Sequence, residues 1–551
     1  LNRKINPTAS KCLSACWEMN HQNVHIPLEE SLPMLPNISM TSAFTQRKRG
    51  LLYWIIAVWM LAAEDSIGAG FPQNAHFKSK KPNVVIIYAD DLGYGDLSCY
   101  GATAVQTPRI DALAQNGLMF SDAHAAAATC TPSRFAMLTG TYAWRRKDTG
   151  IARGDAPLII RPETFTIADL FKKAAYQTAV VGKWHLGLGP SEGANWNGVI
   201  QPGPLELGFD YAFLIPATGD RVPCVYVENH RVVGLDSNDP IEVSFKKKVG
   251  KEPIGADRPD LLTMHPSHGH DRTIIHGISR IGYMSGGKSA WWKDEDMADD
   301  ITNKAVQFID RSAGDPFFLF FSLHDIHVPR VPHPRFVGST DMGPRGDAIA
   351  QTDWCVGQII DKLSEKGILD DTLILFTSDN GPVIDDGYQD DAVKKLGTHQ
   401  PSGPFRGGKY SAFEAGTRVP WIMHWPAAIQ KGKSPALACQ IDLMASFAAL
   451  LGETLPEEAS PDGESILPAL MGQSHIGRET LVLQARALSL RKGLWKWIEP
   501  SRAPAINRQT NIELGHDPKG KLFYLGDDPG ERRDLKESYS EVAEELQKLL
   551  Y

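Results

Sequence analysis

The feature that most constrains the fold is a set of apolar runs, each ended at once by charged or imidazole side chains. The runs lie at 83–88, 178–182, 317–323 and 373–377. Continuous apolar runs of this length are typical of parallel strands covered on both faces. Segments with helical periodicity lie between them, at 166–175, 299–311 and 347–366. This alternation predicts an α/β fold with a large, mostly parallel central sheet flanked by helices.

Each predicted strand delivers polar side chains at its C-terminal end. They are Asp90 and Asp91, Lys183 and His185, His324 and His327, and Asp379 and Asn380. In an open α/β sheet this edge is where ligands bind. Any one pair could be a helix cap or a turn, but four pairs at one edge predict a functional site.

The acidic members of this set predict a metal site. Asp90, Asp91, Asp379 and Asn380 offer carboxylate and amide oxygens only, which suit Ca²⁺ or Mg²⁺ and suit zinc poorly. Adjacent carboxylates at a buried sheet edge would repel unless a cation lies between them. The residues therefore predict one hard-cation site, for Ca²⁺ or Mg²⁺.

A second motif, CTPSR at 130–134, predicts the start of a short helix that ends at Gly140. Thr131 suits the N-cap and Pro132 the first helical position, which would leave Cys130 just outside the helix N-terminus. Free N–H groups there, with Arg134 one turn further on, would lower the pKa of the thiol. The alternative is a small buried hydrophobe, the usual state of a lone cysteine.

Further cationic or protonatable side chains could surround an anionic substrate. Lys409 lies in a glycine-rich loop at 405–418, where glycines let the backbone approach closely. With Arg134, Lys183, His185 and His327 it could form a local positive pocket; a surface lysine is the alternative. The chain carries a net charge of −8 and no long basic run, so nucleic acid is not expected as a partner.

The composition of the two ends suggests how the chain is divided. Residues 1–80 are predicted to be a disordered leader with a signal peptide, because basic residues 47–49 precede an apolar run at 51–63. That run is shorter than the about 20 residues of a membrane span, so export to the periplasm or outside is expected, with an N-terminal anchor as the alternative. A catalytic domain is predicted at 81–452, with 220–298 as an insertion lacking clear strands. A smaller C-terminal subdomain, with an antiparallel sheet and a helix, is predicted at 453–551.

These motifs stand in the order found in the type I, formylglycine-dependent sulfatases, which the chain resembles over residues 82–536. The matching segments are 90–96, 130–134, 182–187, 327–329, 377–381 and the Lys409 loop, followed by 490–496 and 522–535. The resemblance implies an alkaline-phosphatase-like fold and arylsulfatase-like hydrolysis of a sulfate ester, which releases inorganic sulfate and an alcohol or phenol.

The resemblance also implies that the metal is one Ca²⁺ ion, with Mg²⁺ as the second choice, and it implies roles for the site residues. A formylglycine-generating enzyme would oxidise Cys130 to Cα-formylglycine, whose gem-diol would be the nucleophile and a further metal ligand. Arg134 and Lys183 would hold the gem-diol and its charge. His327 and Lys409 would bind sulfate and protonate the leaving group. His185 would take the proton that lets the aldehyde re-form.

Other functions remain open from the sequence. A phosphatase or phosphonate hydrolase of the same superfamily is one, and a non-catalytic sulfated-glycan binding protein with unmodified Cys130 is another. The substrate is expected to be a sulfated small molecule or carbohydrate. The segments 220–223 and 265–276 could line the mouth of its pocket or could equally be structural loops. Disulfide pairing and the oligomeric state stay undecided; the cysteines in question are Cys99, Cys224, Cys355 and Cys439.

Overall fold

The computed structural model describes residues 81–550. The predicted leader, with its apolar run at 51–63, lies outside the described residues. Within 81–550, no helix has both the length and the apolar character that a membrane crossing requires. All five cysteines of this part are free thiols.

A ten-stranded mixed sheet forms the centre of the molecule. Its strands are β1 (Asn83–Ala89), β2 (Leu118–Phe120), β3 (Gln177–Lys183), β4 (Tyr211–Ile215), β5 (Val227–Glu228), β6 (Arg231–Val232), β7 (Phe317–Ser322), β8 (Thr372–Ser378), β9 (Trp421–His424) and β10 (Gly432–Ser434). Their order across the sheet is β10-β2-β9-β8-β1-β7-β3-β4-β5-β6. The central five, β8-β1-β7-β3-β4, are parallel, which confirms the predicted fold class.

The four predicted strands agree with β1, β3, β7 and β8 to within one residue at each end. All residues of β1, β7 and β8 are buried. Helices cover both faces of the parallel strands, so these strands need no polar alternation, and an unbroken apolar run marks them in the sequence.

Nine α-helices are described within 81–550. They are α1 (Pro108–Asn116), α2 (Cys130–Thr139), α3 (Ile167–Lys173), α4 (Met297–Ser312), α5 (Pro344–Glu365), α6 (Ala392–Lys395), α7 (Leu443–Leu451), α8 (Leu467–Leu470) and α9 (Ser540–Leu550). The predicted helices at 166–175, 299–311 and 347–366 correspond to α3, α4 and α5.

The predicted start of α2 is wrong by two residues. The helix begins at Cys130 itself, with Thr129 as the N-cap. Thr131 does not cap, because its hydroxyl donates to the carbonyl of His185 at 3.0 Å instead. The predicted end is confirmed: Gly140 adopts the left-handed conformation at φ 62° and its N–H donates to the Ala136 carbonyl at 2.8 Å.

The segment 220–298 contains short strands that the sequence did not reveal. β5 and β6 extend the main sheet, Glu242–Ser244 pairs with Tyr283–Ser285, and Ile274–Ile275 pairs with Ile278–Ser279. Two further ribbons lie elsewhere, Ala123–His124 with Ala438–Cys439 and Ile506–Asn507 with Ile512–Glu513. Strands of two or three residues are too short to leave a hydrophobic period in the sequence.

The C-terminal part forms the predicted antiparallel sheet with a helix against it. Its strands are β11 (Thr480–Gln484), β12 (Leu488–Lys492), β13 (Trp495–Ile498) and β14 (Lys521–Tyr524). One apolar cluster joins Leu490, Trp497 and Leu522 of this sheet to Ala543 and Leu546 of α9. Burial of this shared face holds the helix on the sheet.

Candidate active site

The C-terminal ends of β1, β3, β7 and β8 bring the predicted polar residues to one edge of the sheet. β1 lies between β7 and β8, and β3 follows on the far side of β7. The chain turns abruptly after β1 and β3, because Asp91 and His185 both have φ near 58°. A non-glycine residue is rarely found there, and such backbone strain clusters at functional sites.

Three buried carboxylates lie together at this edge. Oxygens of Asp90, Asp91 and Asp379 are within 4.8 Å of one another, and the Asn380 amide donates to Asp91 Oδ1 at 2.7 Å. Burial and the nearby Asp379 raise the pKa of Asp90 well above its ordinary value. Mutual repulsion of this kind is what a bound cation would relieve.

Two oxygens of this group lack a hydrogen-bond partner among the described residues. They are Asp90 Oδ1 and Asn380 Oδ1, and both are buried. A buried oxygen without a partner is costly, and an all-oxygen set is what Ca²⁺ or Mg²⁺ prefers. The four predicted residues therefore fit a hard cation.

A second acidic group, Asp122, His124 and Glu414, also lies within 4.8 Å, but its charges are already balanced. Arg491 lies 3.0 Å from Asp122 and 3.1 Å from Glu414, and Arg418 contacts both carboxylates. We do not assign a metal to this group.

Arg134 and Lys183 both contact carboxylates of the candidate metal site. Arg134 donates from Nε and Nη2 to Asp379 Oδ2, at 3.0 and 2.8 Å, and from Nη1 to the Lys183 carbonyl at 3.1 Å. The Lys183 ammonium contacts Asp90 and lies 3.7 Å from Asp379 Oδ2. Both cations therefore orient carboxylates of the candidate metal site.

Lys409 reaches the same edge from its loop. Its ammonium lies 2.8 Å from Asp91 Oδ2 and 2.8 Å from Asp386 Oδ2. Burial lowers the pKa of Lys409, but the carboxylates of Asp386 and Asp91 outweigh it and hold the pKa well above the ordinary value. Lys409 is therefore a buried, charged ammonium.

Asp386 is a site residue that the sequence analysis missed. It accepts a hydrogen bond from the Tyr410 hydroxyl at 3.3 Å in addition to its contact with Lys409. Its only signal in the sequence is a pair of adjacent acidic residues, 385–386, in the loop after β8. Such pairs are common in loops, so the contact with Lys409 identifies Asp386 and the pattern does not.

His327 is held in one orientation by its backbone neighbour. Nδ1 donates to the Val328 carbonyl at 2.8 Å, and Nε2 lies 3.8 Å from Asp91 Oδ2 and 4.0 Å from Asp386 Oδ2. Burial and the charges of Lys409 and Lys183 lower its pKa well below the ordinary value. In the neutral ring the proton is on Nδ1, so Nε2 presents a lone pair to the site.

His185 is held in the opposite way. Nε2 donates to the Ala152 carbonyl at 2.9 Å, whereas Nδ1 is buried without a partner among residues 81–550. Burial and the charges of Lys183 and Arg221 lower its pKa well below the ordinary value. Nδ1 is therefore an available proton acceptor.

The predicted lowering of the Cys130 pKa is wrong. The residue is 2% exposed, and burial raises the pKa of its thiol although Lys183 and Lys409 act in the opposite direction. Removal from water destabilises the thiolate more than the positive charges of the nearby lysines stabilise it. Cys130 is a neutral thiol within reach of the cations, not an activated thiolate.

Both segments predicted at the pocket mouth contribute charged groups near the site. Asp220 accepts hydrogen bonds from Arg221, at 2.8 Å, and from His270, at 3.0 Å. His324, the remaining strand-end histidine, accepts the Gly219 N–H at Nε2 at 2.9 Å and so fastens this segment to the end of β7.

The C-terminal sheet holds the loop that carries Lys409. Lys496 Nζ lies 3.1 Å from Oε1 of Glu414, which is in the loop, and 3.1 Å from Oε1 of Glu531. The Glu414 N–H donates to Glu531 Oε2 at 2.6 Å. All three side chains are fully buried, so this ion network fixes the loop against β13.

Comparisons with known proteins agree with this arrangement. A family model described as Sulfatase matches residues 82–453. N-acetylgalactosamine-6-O-sulfatase of Bacteroides thetaiotaomicron is 55% identical over 474 residues, covering 86% of this chain and 93% of that protein. Arylsulfatase A of Homo sapiens is 31% identical over 484 residues, covering 83% and 84%.

Solved structures agree as well. One from work on glycosaminoglycan metabolism by Bacteroides thetaiotaomicron has a TM-score of 0.85 at 55% identity, and covers 86% of this chain and 99% of the other. A phosphonate monoester hydrolase of Agrobacterium radiobacter has a TM-score of 0.52 at 17% identity, covering 85% and 94%. That second likeness concerns the fold alone.

Proposed function

The chain belongs to the sulfatase family, in the alkaline-phosphatase-like superfamily, and from this premise we propose that it removes the 6-O-sulfate of N-acetylgalactosamine in a sulfated glycan. Members of the family are sulfuric ester hydrolases, so the reaction is sulfate ester hydrolysis. The observation that supports the finer substrate is the 55% identity with an N-acetylgalactosamine-6-O-sulfatase over nearly its whole length.

We propose two additions to the chain that the chemistry needs. Asp90, Asp91, Asp379 and Asn380 would hold Ca²⁺, with residue 130 as a further ligand; a bound Ca²⁺ supplies positive charge that polarises a sulfate oxygen. Cys130 would be converted to formylglycine by a formylglycine-generating enzyme, and the hydrated aldehyde supplies the attacking oxygen. The unpartnered oxygens of Asp90 and Asn380 support the metal assignment.

Lys409 and His327 have different roles, because they differ in which atoms carry a proton at the site. Lys409 carries protons at the site, so it donates one to the departing oxygen of the alcohol. His327 presents a lone pair at Nε2 and cannot donate from that atom while neutral. The negative charge of sulfate would raise its pKa, and the ring would then bind sulfate through Nε2–H.

His185, Arg134 and Lys183 complete the proposal. The free Nδ1 of His185 accepts the proton whose removal releases sulfate from residue 130. Arg134 and Lys183 hold the surrounding carboxylates in place, and their charge stabilises the negative charge that develops during transfer. This division gives each of the five cationic or protonatable side chains predicted from the sequence one role; they are Arg134, Lys183, His185, His327 and Lys409.

A sulfate-release assay tests the proposal. The purified protein is expected to release sulfate from 6-sulfated N-acetylgalactosamine faster than from 6-sulfated N-acetylglucosamine or an aryl sulfate. A phosphate monoester, used in parallel, tests the phosphatase alternative. Equal rates on the two sugars would contradict the substrate, and faster phosphate release would contradict the reaction class.

Mass spectrometry tests the modification separately. The peptide that ends at Arg134, taken from protein made in its natural host, is expected to carry an aldehyde in place of the thiol. A fully retained thiol, with no sulfate release, would favour the non-catalytic glycan-binding alternative.

We propose export and a two-part organisation on sequence grounds. The basic residues 47–49 and the apolar run at 51–63 support a cleaved signal peptide, and N-terminal sequencing of the secreted or periplasmic protein tests it. A catalytic domain at 81–452 and a subdomain at 453–551 remain proposals as well.

A further inference from the structure

A row of basic side chains leads away from the candidate active site. We name it the basic strip and define it as Arg153, Arg221, Lys246, Lys247 and Lys248. It begins at the site itself. Arg221 helps lower the pKa of His185, and the carbonyl of Ala152, the neighbour of Arg153, accepts the hydrogen bond from His185.

Backbone pairing carries the strip outward from Arg221. Arg221 forms a β-bridge with Ile281, and two residues further along the same segment Tyr283 pairs with Ser244. Ser244 directly precedes Phe245 and the three lysines. The lysines are therefore connected to the site through consecutive steps of one small ribbon.

Close packing joins the other side of the strip. A Cβ on Gly154 would lie 1.8 Å from the Val222 carbonyl oxygen and 3.4 Å from Phe245 Cζ, so these backbones and the ring are in contact. The Arg153 guanidinium lies 5.5 Å from the centroid of the Phe245 ring. Phe245 thus anchors the lysine segment against the residues beside His185 and Arg221.

The three lysines are exposed and form no ion pair with any described residue. The Ser244 hydroxyl accepts the N–H groups of Lys246 and Lys247, each at 3.2 Å, which fixes the turn from which they project. Residues 244–251 contain four lysines and no acidic residue. In contrast, Asp155 balances Arg153 at 2.9 Å and Asp220 balances Arg221 at 2.8 Å.

We propose that the basic strip binds anionic groups of the glycan chain beyond the sugar that loses its sulfate. The idea rests on the proposed function, since it places the rest of that substrate. In a chain of net charge −8, a local group of three unpaired lysines is complementary to a polyanion of evenly spaced sulfates or carboxylates. Three residues beyond Phe245 extend the surface by up to about 10 Å, enough to meet a charge on a further sugar.

The test uses the full chain and two variants of equal net charge. One replaces the strip lysines, Lys246→Gln with Lys247→Gln and Lys248→Gln. The control replaces exposed lysines that form no ion pair within 81–550, Lys431→Gln with Lys433→Gln and Lys519→Gln; the first two lie at β10, the opposite end of the sheet from β5 and β6.

Two substrates separate the strip from the reaction centre. For a 6-sulfated oligosaccharide carrying further anionic groups, the strip variant is expected to lose at least about fivefold in kcat/KM, since each exposed charge pair contributes about 0.3–0.5 kcal/mol. The loss should shrink as salt is raised. For 6-sulfated N-acetylgalactosamine alone, kcat/KM should stay within about twofold, and the control variant should match the wild type on both substrates. An equal loss on both substrates, or none on the oligosaccharide, would overturn the proposal.

A binding measurement keeps the test informative if neither substrate is cleaved, which would count against the proposed function only. Electrophoresis in gels containing a sulfated polysaccharide is expected to retard the wild type and the control variant but not the strip variant. Equal mobility of all three proteins would overturn the proposal. A parallel gel contains RNA in place of the polysaccharide. If RNA retards the wild type equally, and does not retard the strip variant, the proposal is also overturned, because the strip would then show no preference for a glycan.

Discussion

The Lys409 ammonium lies 2.8 Å from the Asp386 carboxylate, and it contacts Asp91, a candidate metal ligand, at the same distance. One lysine thus bridges the metal group and a carboxylate outside it. Asp386 keeps the ammonium paired even when a cation draws on the charge of Asp91, and it helps hold Lys409 protonated.

Replacing Asp386 tests this relationship. Asp386→Asn removes a charge that raises the pKa of Lys409, so the basic limb of the pH profile of kcat/KM should move to lower pH. At neutral pH the ammonium stays protonated but loses one of its two carboxylate partners, and this loss of positioning should lower kcat/KM by about tenfold. The matched control is Asp385→Asn, whose carboxylate accepts from Ser267 at 2.6 Å and does not contact Lys409. An unchanged pH profile in Asp386→Asn would remove Asp386 from the site.

Cys130→Ser should abolish steady turnover. A serine side chain carries one hydroxyl, whereas the gem-diol of formylglycine carries two. Sulfate transferred to Ser at position 130 could therefore not be released by re-forming a carbonyl. Sulfate release over many turnovers measures the effect, and intact-mass analysis should detect any retained sulfate. Cys99→Ala, a change at a half-buried thiol outside the site, should keep wild-type rates; steady turnover in Cys130→Ser would refute the assigned role.

Metal removal should reduce both activity and stability. A cation bound at about 100 times its Kd stabilises the fold by about 2.7 kcal/mol, so chelation should lower the Tm and added Ca²⁺ should restore it. Asp91→Asn should lose this Ca²⁺ response. Asp122→Asn should retain it, because the arginines already balance that second acidic group. A Tm insensitive to chelator and Ca²⁺ would contradict the metal site.

Lys496→Met should destabilise the protein by about 3–5 kcal/mol, because it leaves Glu531 buried without its cation and removes one of the three cations around the buried Glu414. Urea unfolding measures the free energy. The control is Lys492→Met, an exposed lysine of the same sheet that pairs with Glu545; exposed pairs contribute at most about 1 kcal/mol. Similar losses in the two variants would show that the buried network carries no special weight.

Glu531 makes a prediction about pH. Burial raises its pKa to about 7, above the ordinary value near 4.5. Its contribution to folding stability is therefore complete below about pH 4.5 and is lost as the pH rises towards about 7. Glu531→Gln, which cannot ionise, should show a weaker fall in unfolding free energy over this range, as measured by urea titration at several pH values. The same slope in both proteins would contradict the assignment.

The sequence predicted the parts of the site that buried strands position. Asp90 and Asp379 follow apolar runs whose ends are sharp, because a parallel strand covered on both faces has no polar residue until it leaves the sheet. Neighbouring strands then place these residues together without further information.

The sequence did not predict what depends on tertiary contacts outside those strands. Asp386 lies in a long loop, and only folding brings it to Lys409. The predicted direction of the Cys130 pKa shift is wrong, because the effect of burial outweighs that of the nearby cations and a short motif does not reveal burial. The short ribbons of 220–298 were missed because two-residue strands have no measurable period.

The burial of α2 has a consequence for timing. All ten residues of this helix, Cys130–Thr139, are buried, with sheet edge residues separated from them by up to about 250 positions in the chain, as in the Arg134 pairing with Asp379. In the finished fold Cys130 is 2% exposed, so its side chain offers almost no surface to the proposed maturation enzyme. The proposed conversion of Cys130 would therefore come before α2 is buried, so the yield of modified protein would depend on the rate of modification relative to the rate of folding.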